Sequence, residues 1–303
     1  MYVYNADRVQ LLNNIFTGNT ADSGGAIFNL YGDNLLIANS LFYSNSAIGT
    51  STTRAHGGGA IQVGGGANLQ IIISTFYNNS ASLFGQNLSV NTTDWSGAAA
   101  SDASLAVTNT IFWKTTSGGS DFDVVDTVSG SPVITNRDTD RIKVSHSTLI
   151  GWSGGTENNS LDPMFRDPDG ADNVPGTSDD DFRLQPASPM IDSGLTLSEL
   201  FSDIRGSVRP VDGNNNEPGA QFDRGAYEFN EYYGGLAGDE VAKSLSNLVV
   251  NGAEQVVGFE YVIQWGDKDP FPAGDPRIAQ AGEYTVNLAL VSDTGLRIEL
   301  DTF

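Results

Sequence analysis

One phrase recurs along the first half of the chain with changing spacing. It reads Asn-x-Ile/Leu-Phe, then x-x-Asn-x-Ala/Ser, then Gly-Gly-Ala-Ile. The first copy is NNIFTGNTADSGGAI, from Asn13 to Ile27. The second, Asn39 to Ile61, carries an insert before its glycines. Two looser copies follow, STFYNNSASLFGQNL from Ser74 to Leu88 and NTIFWKTTSGGSDFDV from Asn109 to Val124. A unit this short cannot bury its own apolar face, so successive units must stack on one another.

The repeat is read as a β coil. Phe16, Phe42, Phe76 and Phe112 head successive turns, with Leu149 in the fifth place, at separations of 26, 34, 36 and 37 residues. Each run ending on those residues from Phe42 onward is β-rich and alternating: NLLIANSLF, NLQIIISTF, SLAVTNTIF and RIKVSHSTL. Alternation of this kind marks half-buried strands, and Gly, Asn, Ser and Thr interrupt it every few residues. The expectation is a parallel β-helix with the phenylalanines stacked inside. Asn19, Asn45 and Asn79 are expected at a turn, where Asn tolerates a left-handed backbone. Gly24-Gly25 and Gly58-Gly59 suit sharp turns or close approach of coils. Long inserts around Thr50–His56 and Thr92–Asp102 should leave the stack as loops.

Charge narrows the partners. The chain of 303 residues carries a net charge of −22, of which −4 falls in residues 1–150 and −18 in residues 151–303. Such a field repels nucleic acid and anionic membranes and favours cations. There is no cysteine, which removes disulfides and thiolate metal sites. No apolar run is long enough for a membrane helix. The opening MYVYNADRVQ lacks the basic and apolar regions of a secretory signal and reads as the interior of a repeat. The expectation is that an export signal and earlier coils lie outside this sequence.

The FxxN and GGAI phrases resemble the repeats of polymorphic outer-membrane proteins, within the wider set of right-handed, pectin-lyase-like β-helix proteins. Residues 161–229 differ in character. Asp162–Phe165, Arg183–Gly194 and Asp223–Glu228 follow, in order, a D-P-x-F opening, an R-L-x-P-x-S-P-x-I-D-x-G centre and a D-x-G-A-Y-E ending. This pattern resembles the choice-of-anchor Q module of bacterial surface β-helix proteins, with Arg224 standing where an apolar residue is expected. Residues 239–303 hold four strand-like runs, SLSNLVV, FEYVIQWGD, EYTVNLALVS and LRIELDTF. With Trp265–Asp267 they resemble a short polycystic-kidney-disease (PKD) type, immunoglobulin-like unit, Lys268 replacing the usual glycine. The fold class expected is therefore all-β: coils over 1–160, a closing module over 161–229, and a small β-sandwich-like unit over 239–303.

Four sets of residues are candidates for chemistry. Asp167, Asp169, Asp172, Asp179, Asp180 and Asp181 lie within fifteen residues, interleaved with glycines. Oxygen ligands at alternating positions with sharp turns suit a structural calcium ion, against the plainer reading of a solvated acidic loop. Asp192, Arg205, Arg209, Asp223, Arg224 and Glu228 form an alternating charged set, read as ion pairs holding loops to the last coil, with an acid–base pair as the alternative. Lys143 and His146, near Arg137, Asp138, Asp140 and Arg141, offer a basic residue of the kind pectin-lyase-like enzymes use, without a motif around it. His56 reads as a loop residue. Trp95, Trp113, Trp152, Tyr43 and Tyr77 could stack on sugars or serve the core.

The resemblance implies an extracellular, bacterial, cell-surface or secreted protein. The expected role is structural or adhesive, with calcium as the one cofactor and a polysaccharide or cell-surface glycan as partner. The alternative is a calcium-dependent polysaccharide lyase or glycoside hydrolase.

Overall fold

In the computed structural model the described residues are 1–51, 56–91, 103–114, 120–128, 131–134, 139–197, 200–213 and 220–229, with the strands of 242–250, 256–263, 287–291 and 297–302. Most of the two long inserts, Trp95, Arg137, Asp138, the 234–240 linker and Trp265–Asp267 lie outside them. Chain contacts divide the molecule into two compact units, 1–230 and 231–303.

The first coil holds β1 (Tyr2–Tyr4), β2 (Gln10–Leu12), β3 (Ile15–Thr17) and β4 (Thr20–Ala21). The second repeats the order as β5 (Ile27–Leu30), β6 (Leu35–Ala38), β7 (Leu41–Tyr43) and β8 (Ser46–Ala47). The third does so as β9 (Ile61–Gly64), β10 (Asn68–Ile72), β11 (Thr75–Tyr77) and β12 (Ser80–Ala81). The fourth has β13 (Leu88–Asn91), β14 (Ser104–Thr108) and β15 (Ile111–Trp113), and the last has β16 (Phe122–Val128), β17 (Ser131–Ile134) and β18 (Ile142–Ser145). Equivalent strands pair in parallel, giving sheet one (β1-β5-β9-β13-β16), sheet two (β2-β6-β10-β14-β18), sheet three (β3-β7-β11-β15) and sheet four (β4-β8-β12). Among the described strands of the coils, β17 runs antiparallel, folding back on β16. The chain is an all-β parallel β-helix.

Register makes the core. Phe16, Phe42, Phe76 and Phe112 are Cα partners across sheet three. Their rings stack at 4.7, 4.6 and 4.7 Å, the spacing between neighbouring strands. Phe122 and Trp152 continue the column, stacked on each other at 4.8 Å. Aliphatic rows such as Leu35-Leu69-Leu105-Ile142 line sheet two from within. One row is broken: Asn29 stands between Val3 and Val63, fully buried, and neither amide atom has a hydrogen-bond partner.

The β-rich runs ahead of each phenylalanine prove to be two strands around a corner. Asn13, Asn39, Ile73, Asn109 and His146 take positive φ between sheets two and three. At the next corner the left-handed residue is Gly18, Ser44 or Asn78, one position before the asparagines expected to need it. Asn19, Asn45 and Asn79 instead form a ladder. The Asn19 Nδ2 donates to Asn45 Oδ1, and the Asn45 Nδ2 to Asn79 Oδ1, each at 2.8 Å. Asn79 donates to Asn87 Oδ1 at 2.8 Å, and Asn87 to Asp121 Oδ1 at 3.2 Å. Asn45 and Asn79 also donate to the Phe16 and Phe42 carbonyls, so buried amides satisfy backbone that no strand serves. The glycine pair has both expected uses: Gly24 turns at φ 56°, and a Cβ on Gly25 would collide with the Gly59 carbonyl of the next coil.

Sheet three is apolar on both faces. Leu41, Tyr43, Tyr77 and Ile111 point away from the phenylalanine column and are covered by residues 161–229. The cover is an antiparallel pair, β19 (Phe165–Asp167) and β20 (Asp181–Leu184), followed by largely irregular chain. Phe182 packs at 4.9 and 5.2 Å from the rings of Tyr43 and Tyr77. Burying such a side chain contributes about 1.5–3 kcal/mol, so the cover has a real driving force.

In the second unit the four strand-like runs become β21 (Ala242–Val250), β22 (Val256–Ile263), β23 (Asn287–Val291) and β24 (Arg297–Thr302). β21 pairs with β22 and β23 with β24, both antiparallel. Among the described residues no helix is long and apolar enough to cross a membrane.

Candidate functional site

The acidic turn between β19 and β20 folds on its own carboxylates. Thr177 Oγ1 donates to Asp179 Oδ1 at 2.6 Å and stands 3.4 and 3.5 Å from Asp172 Oδ1 and Asp180 Oδ1. The backbone N–H of Asp172 donates to Asp179, that of Val174 to Asp172, and that of Gly176 to Asp180. Gly170 is required here, because a Cβ would enter the Asp179 carboxylate. The Thr177 hydroxyl and backbone N–H groups hold Asp179 below its ordinary range. Partial desolvation, then the neighbouring charge of Asp169, pushes Asp167 up, and desolvation does the same for Asp180. Asp181 turns away onto Arg183, at 2.6 Å between Oδ2 and Nη2. The six aspartates therefore divide: three converge on Thr177, two repel at the start of the turn, and one pairs with an arginine. Among the described residues no three His, Asp or Glu side chains are grouped as a metal would need.

Of the charged set of 192–228, Arg209, Asp223, Arg224 and Glu228 are buried, Asp192 is half-buried and Arg205 is exposed. Asp192 accepts N–H groups from Gly213 and Gln221 at 2.9 and 3.1 Å. Asp223 accepts those of Asp192 and Phe229, and Glu228 those of Val211 and Asp223. Asp203, which the sequence pattern did not single out, accepts from Arg205, Ser207 and Glu228. Arg224 fills the position where an apolar residue was expected. It donates to the carbonyls of Ser147, Glu157 and Ser193, joining the last coil to the cover. Arg209 Nε lies 3.5 Å from Glu228, both side chains wholly buried, and its guanidinium stands over the Phe222 ring. Ion pairs were expected to lock loops against the last coil; among the described residues the ion pair of this set, Arg209–Glu228, lies within the cover, and the link to the last coil is made by Arg224 on carbonyls. Burial raises Glu228 to about 7 and Asp223 well above its usual range, while Arg209 opposes both shifts.

Further contacts tie the cover to the coils. The corner residue Asn109 donates to the Leu195 carbonyl and accepts its N–H, both at 2.7 Å. Asn39 donates to the Ser202 carbonyl at 3.0 Å.

The basic candidates are not brought together. Arg141, Lys143 and Asp140 are exposed, Lys143 on the outer face of sheet two opposite Ala106. His146 leaves that strand at a φ of 48°. Burial, then the charge of Arg224, holds its imidazole below the ordinary histidine range. His56 packs against Gly49.

The four aromatic candidates among the described residues serve packing. Tyr43 and Tyr77 lie under the cover, Trp113 is half-buried against it, and Trp152 caps the inner column. They present no exposed platform for a sugar. Exposed aromatic rings occur elsewhere, at Tyr2, Tyr4 and Tyr31, with Phe28 beside them. The alternation of MYVY was the signal that could have found them. Asp121 was also unremarked. It ends the asparagine ladder, and burial raises it to about 6.

Comparison with family models, with curated proteins and with solved structures gives no match to this chain.

Proposed function

We propose that this chain is a non-enzymatic, structural or adhesive β-helix that acts outside the cell, on a cell surface or as a secreted protein. One observation carries the reading. The carboxylates that could have formed an acid–base pair, Asp192, Asp223 and Glu228, accept backbone N–H groups inside the cover. They hold an irregular segment on sheet three. The repeat phrases and the ordered D-P-x-F, R-L-x-P and D-x-G-A-Y-E pattern support a surface β-helix closed by a choice-of-anchor-type module. The net charge of −22 supports a partner that is not a polyanion.

The test is incubation with a panel of acidic and neutral polysaccharides in the presence of calcium, scored for new chain ends. The reading expects none. New ends would overturn it in favour of a lyase or hydrolase.

Calcium belongs to this proposal as a structural ion in the acidic turn. Asp167, Asp169, Asp172, Asp179 and Asp180 would supply its oxygens with backbone carbonyls, Asp181 being engaged by Arg183. The support is the repulsion already present between Asp167 and Asp169, which a cation would relieve. Saturating calcium is expected to raise the melting temperature, and Asp169→Asn with Asp180→Asn to remove that rise. An unchanged melting curve in the parent protein would end the assignment.

A further inference from the structure

The cover holds five arginines and neither lysine nor histidine over residues 161–229. Arg209 and Arg224 are buried and donate to carbonyls. The other three meet on the outer side of the cover. On β19 and β20, Phe165, Phe182 and Leu184 turn in towards sheet three, so Arg166, Asp181 and Arg183 turn out together. The Ile204 N–H donates to the Ala226 carbonyl at 3.0 Å, which sets Arg205 beside Tyr227. Tyr227 in turn packs against the apolar group that contains Phe165 and Phe182. Burial, then the charge of Arg183, lowers Arg166; Arg205 adds to that shift and Asp181 opposes it. Burial, then the charge of Asp181, raises the Tyr227 hydroxyl to about 12, with Arg205 opposing. The five groups therefore face one space.

Two strong donors at this space are unspent. Arg183 uses its fork on Asp181, with Nε at 2.8 Å and Nη2 at 2.6 Å. Arg166 is half-buried, and its Nε donates to the Leu184 carbonyl at 3.3 Å. Among the described residues its two Nη groups meet no acceptor, and the half-buried Tyr227 hydroxyl has no partner. A guanidinium that is partly desolvated beside two like charges calls for an anion, and its planar fork matches a carboxylate.

The surrounding charges narrow the anion. Arg166, Arg183 and Arg205 stand against Asp181 and the buried Asp203, which leaves one net positive charge for one negative charge on the ligand. The acidic turn starts where both strands end, so an extended polyanion would run into Asp167 to Asp180. Asp181 keeps lone pairs beyond its bonds to Arg183, and its side chain is 22 % exposed. A donor fork beside an open carboxylate acceptor suits a ligand that carries both a carboxylate and hydroxyls.

We propose that this space binds a sugar acid with one isolated carboxylate, free or ending an otherwise neutral glycan. The carboxylate lies on the Arg166 fork, with Tyr227 and Arg205 beside it, and ring hydroxyls donate to Asp181. The inference deepens the adhesive reading above by naming the group that the surface recognises.

The experiment titrates the full chain with glucuronate, N-acetylneuraminate, glucuronate methyl ester, glucose, acetate and sulfate at fixed ionic strength, with binding followed by ligand-observed NMR. Arg166→Gln, Tyr227→Phe and Arg205→Gln are compared with the parent, and a melting curve is taken for each. The expected result is binding of at least one of the two sugar acids, with the ester and glucose at least about tenfold weaker. Arg166→Gln should weaken the acid at least about tenfold, and Tyr227→Phe and Arg205→Gln about threefold each. Failure of both acids to bind, equal binding of the ester, or an affinity unchanged by Arg166→Gln would overturn the proposal. Acetate or sulfate held as tightly as the acids would make this a general anion site and overturn the sugar assignment. If Arg166→Gln lowers the melting temperature, the decision passes to Arg205→Gln, whose side chain is exposed, and to Tyr227→Phe; unchanged affinity in both overturns the proposal. The adhesive reading stands or falls separately, on whether new chain ends are released from polysaccharides.

Discussion

The coils and their cover solve one problem in opposite ways. Both must satisfy buried backbone groups. In the coils, strands 26 to 37 residues apart pair in register, and the corners are served by neutral ladders such as Asn19-Asn45-Asn79. Among the described residues of 185–229 there is no strand, and Asp192, Asp203, Asp223 and Glu228 accept the N–H groups instead. Repetition lets one solution be reused by each coil. An aperiodic segment needs a charged group for each local problem, and so depends more on single residues and on pH.

The largest expected effects test that contrast directly. Phe76→Ala opens a cavity in the middle of the aromatic column and should cost about 3–5 kcal/mol in denaturant unfolding. Phe16→Ala, in the first coil and only partly buried, should cost much less. Arg224→Ala leaves three carbonyls on two parts of the chain without their donor and should cost about 3 kcal/mol. It should also release the cover before the coils, seen as loss of protease resistance in residues 161–229 first. Simultaneous unfolding of both regions in Arg224→Ala would show that they are one cooperative unit.

A smaller effect concerns pH. Asp121 titrates near 6 in the folded protein against 3.8 in the unfolded chain, because it is buried. Between those values the native state holds a proton that the unfolded state has released. The stabilisation this gives is complete below pH 3.8 and is lost as pH rises through about 6, a change of about 3 kcal/mol. Asp121→Asn should flatten that part of the stability–pH curve. The remaining fall towards neutral pH belongs to the neighbouring Glu228 and Asp223 in the cover, both raised by burial, and comparing Asp121→Asn with the parent separates the two regions. The smallest expected effect is a gain. Asn29→Val replaces a buried amide without partners by the residue found above and below it, and should stabilise by about 1–2 kcal/mol in thermal unfolding.

The stacked phenylalanines were legible because one residue type recurs at one place in each coil. The role of Asn19, Asn45 and Asn79 was not, since a ladder exists only once coils of unequal length are aligned. A single sequence shows an asparagine near a turn and leaves open whether its backbone or its amide is needed. In the acidic turn, the sequence shows six aspartates of equal standing. Only the fold separates Asp181, on the same side of β20 as Arg183, from the three around Thr177. The outer face of sheet three was the hardest to read. Tyr43 and Tyr77 alternate as solvent-facing residues would, and nothing local tells that a segment more than eighty residues away will cover them.

The central claim is that buried carboxylates hold the cover as firmly as strand pairing holds the coils. Native-state amide hydrogen exchange tests it most directly. The N–H groups of Asp192, Val211, Gly213, Gln221, Asp223, Glu228 and Phe229 should be protected to the same order as those of β7 and β11. Exchange of these amides at the rate of an open loop, while the strands stay protected, would contradict the account.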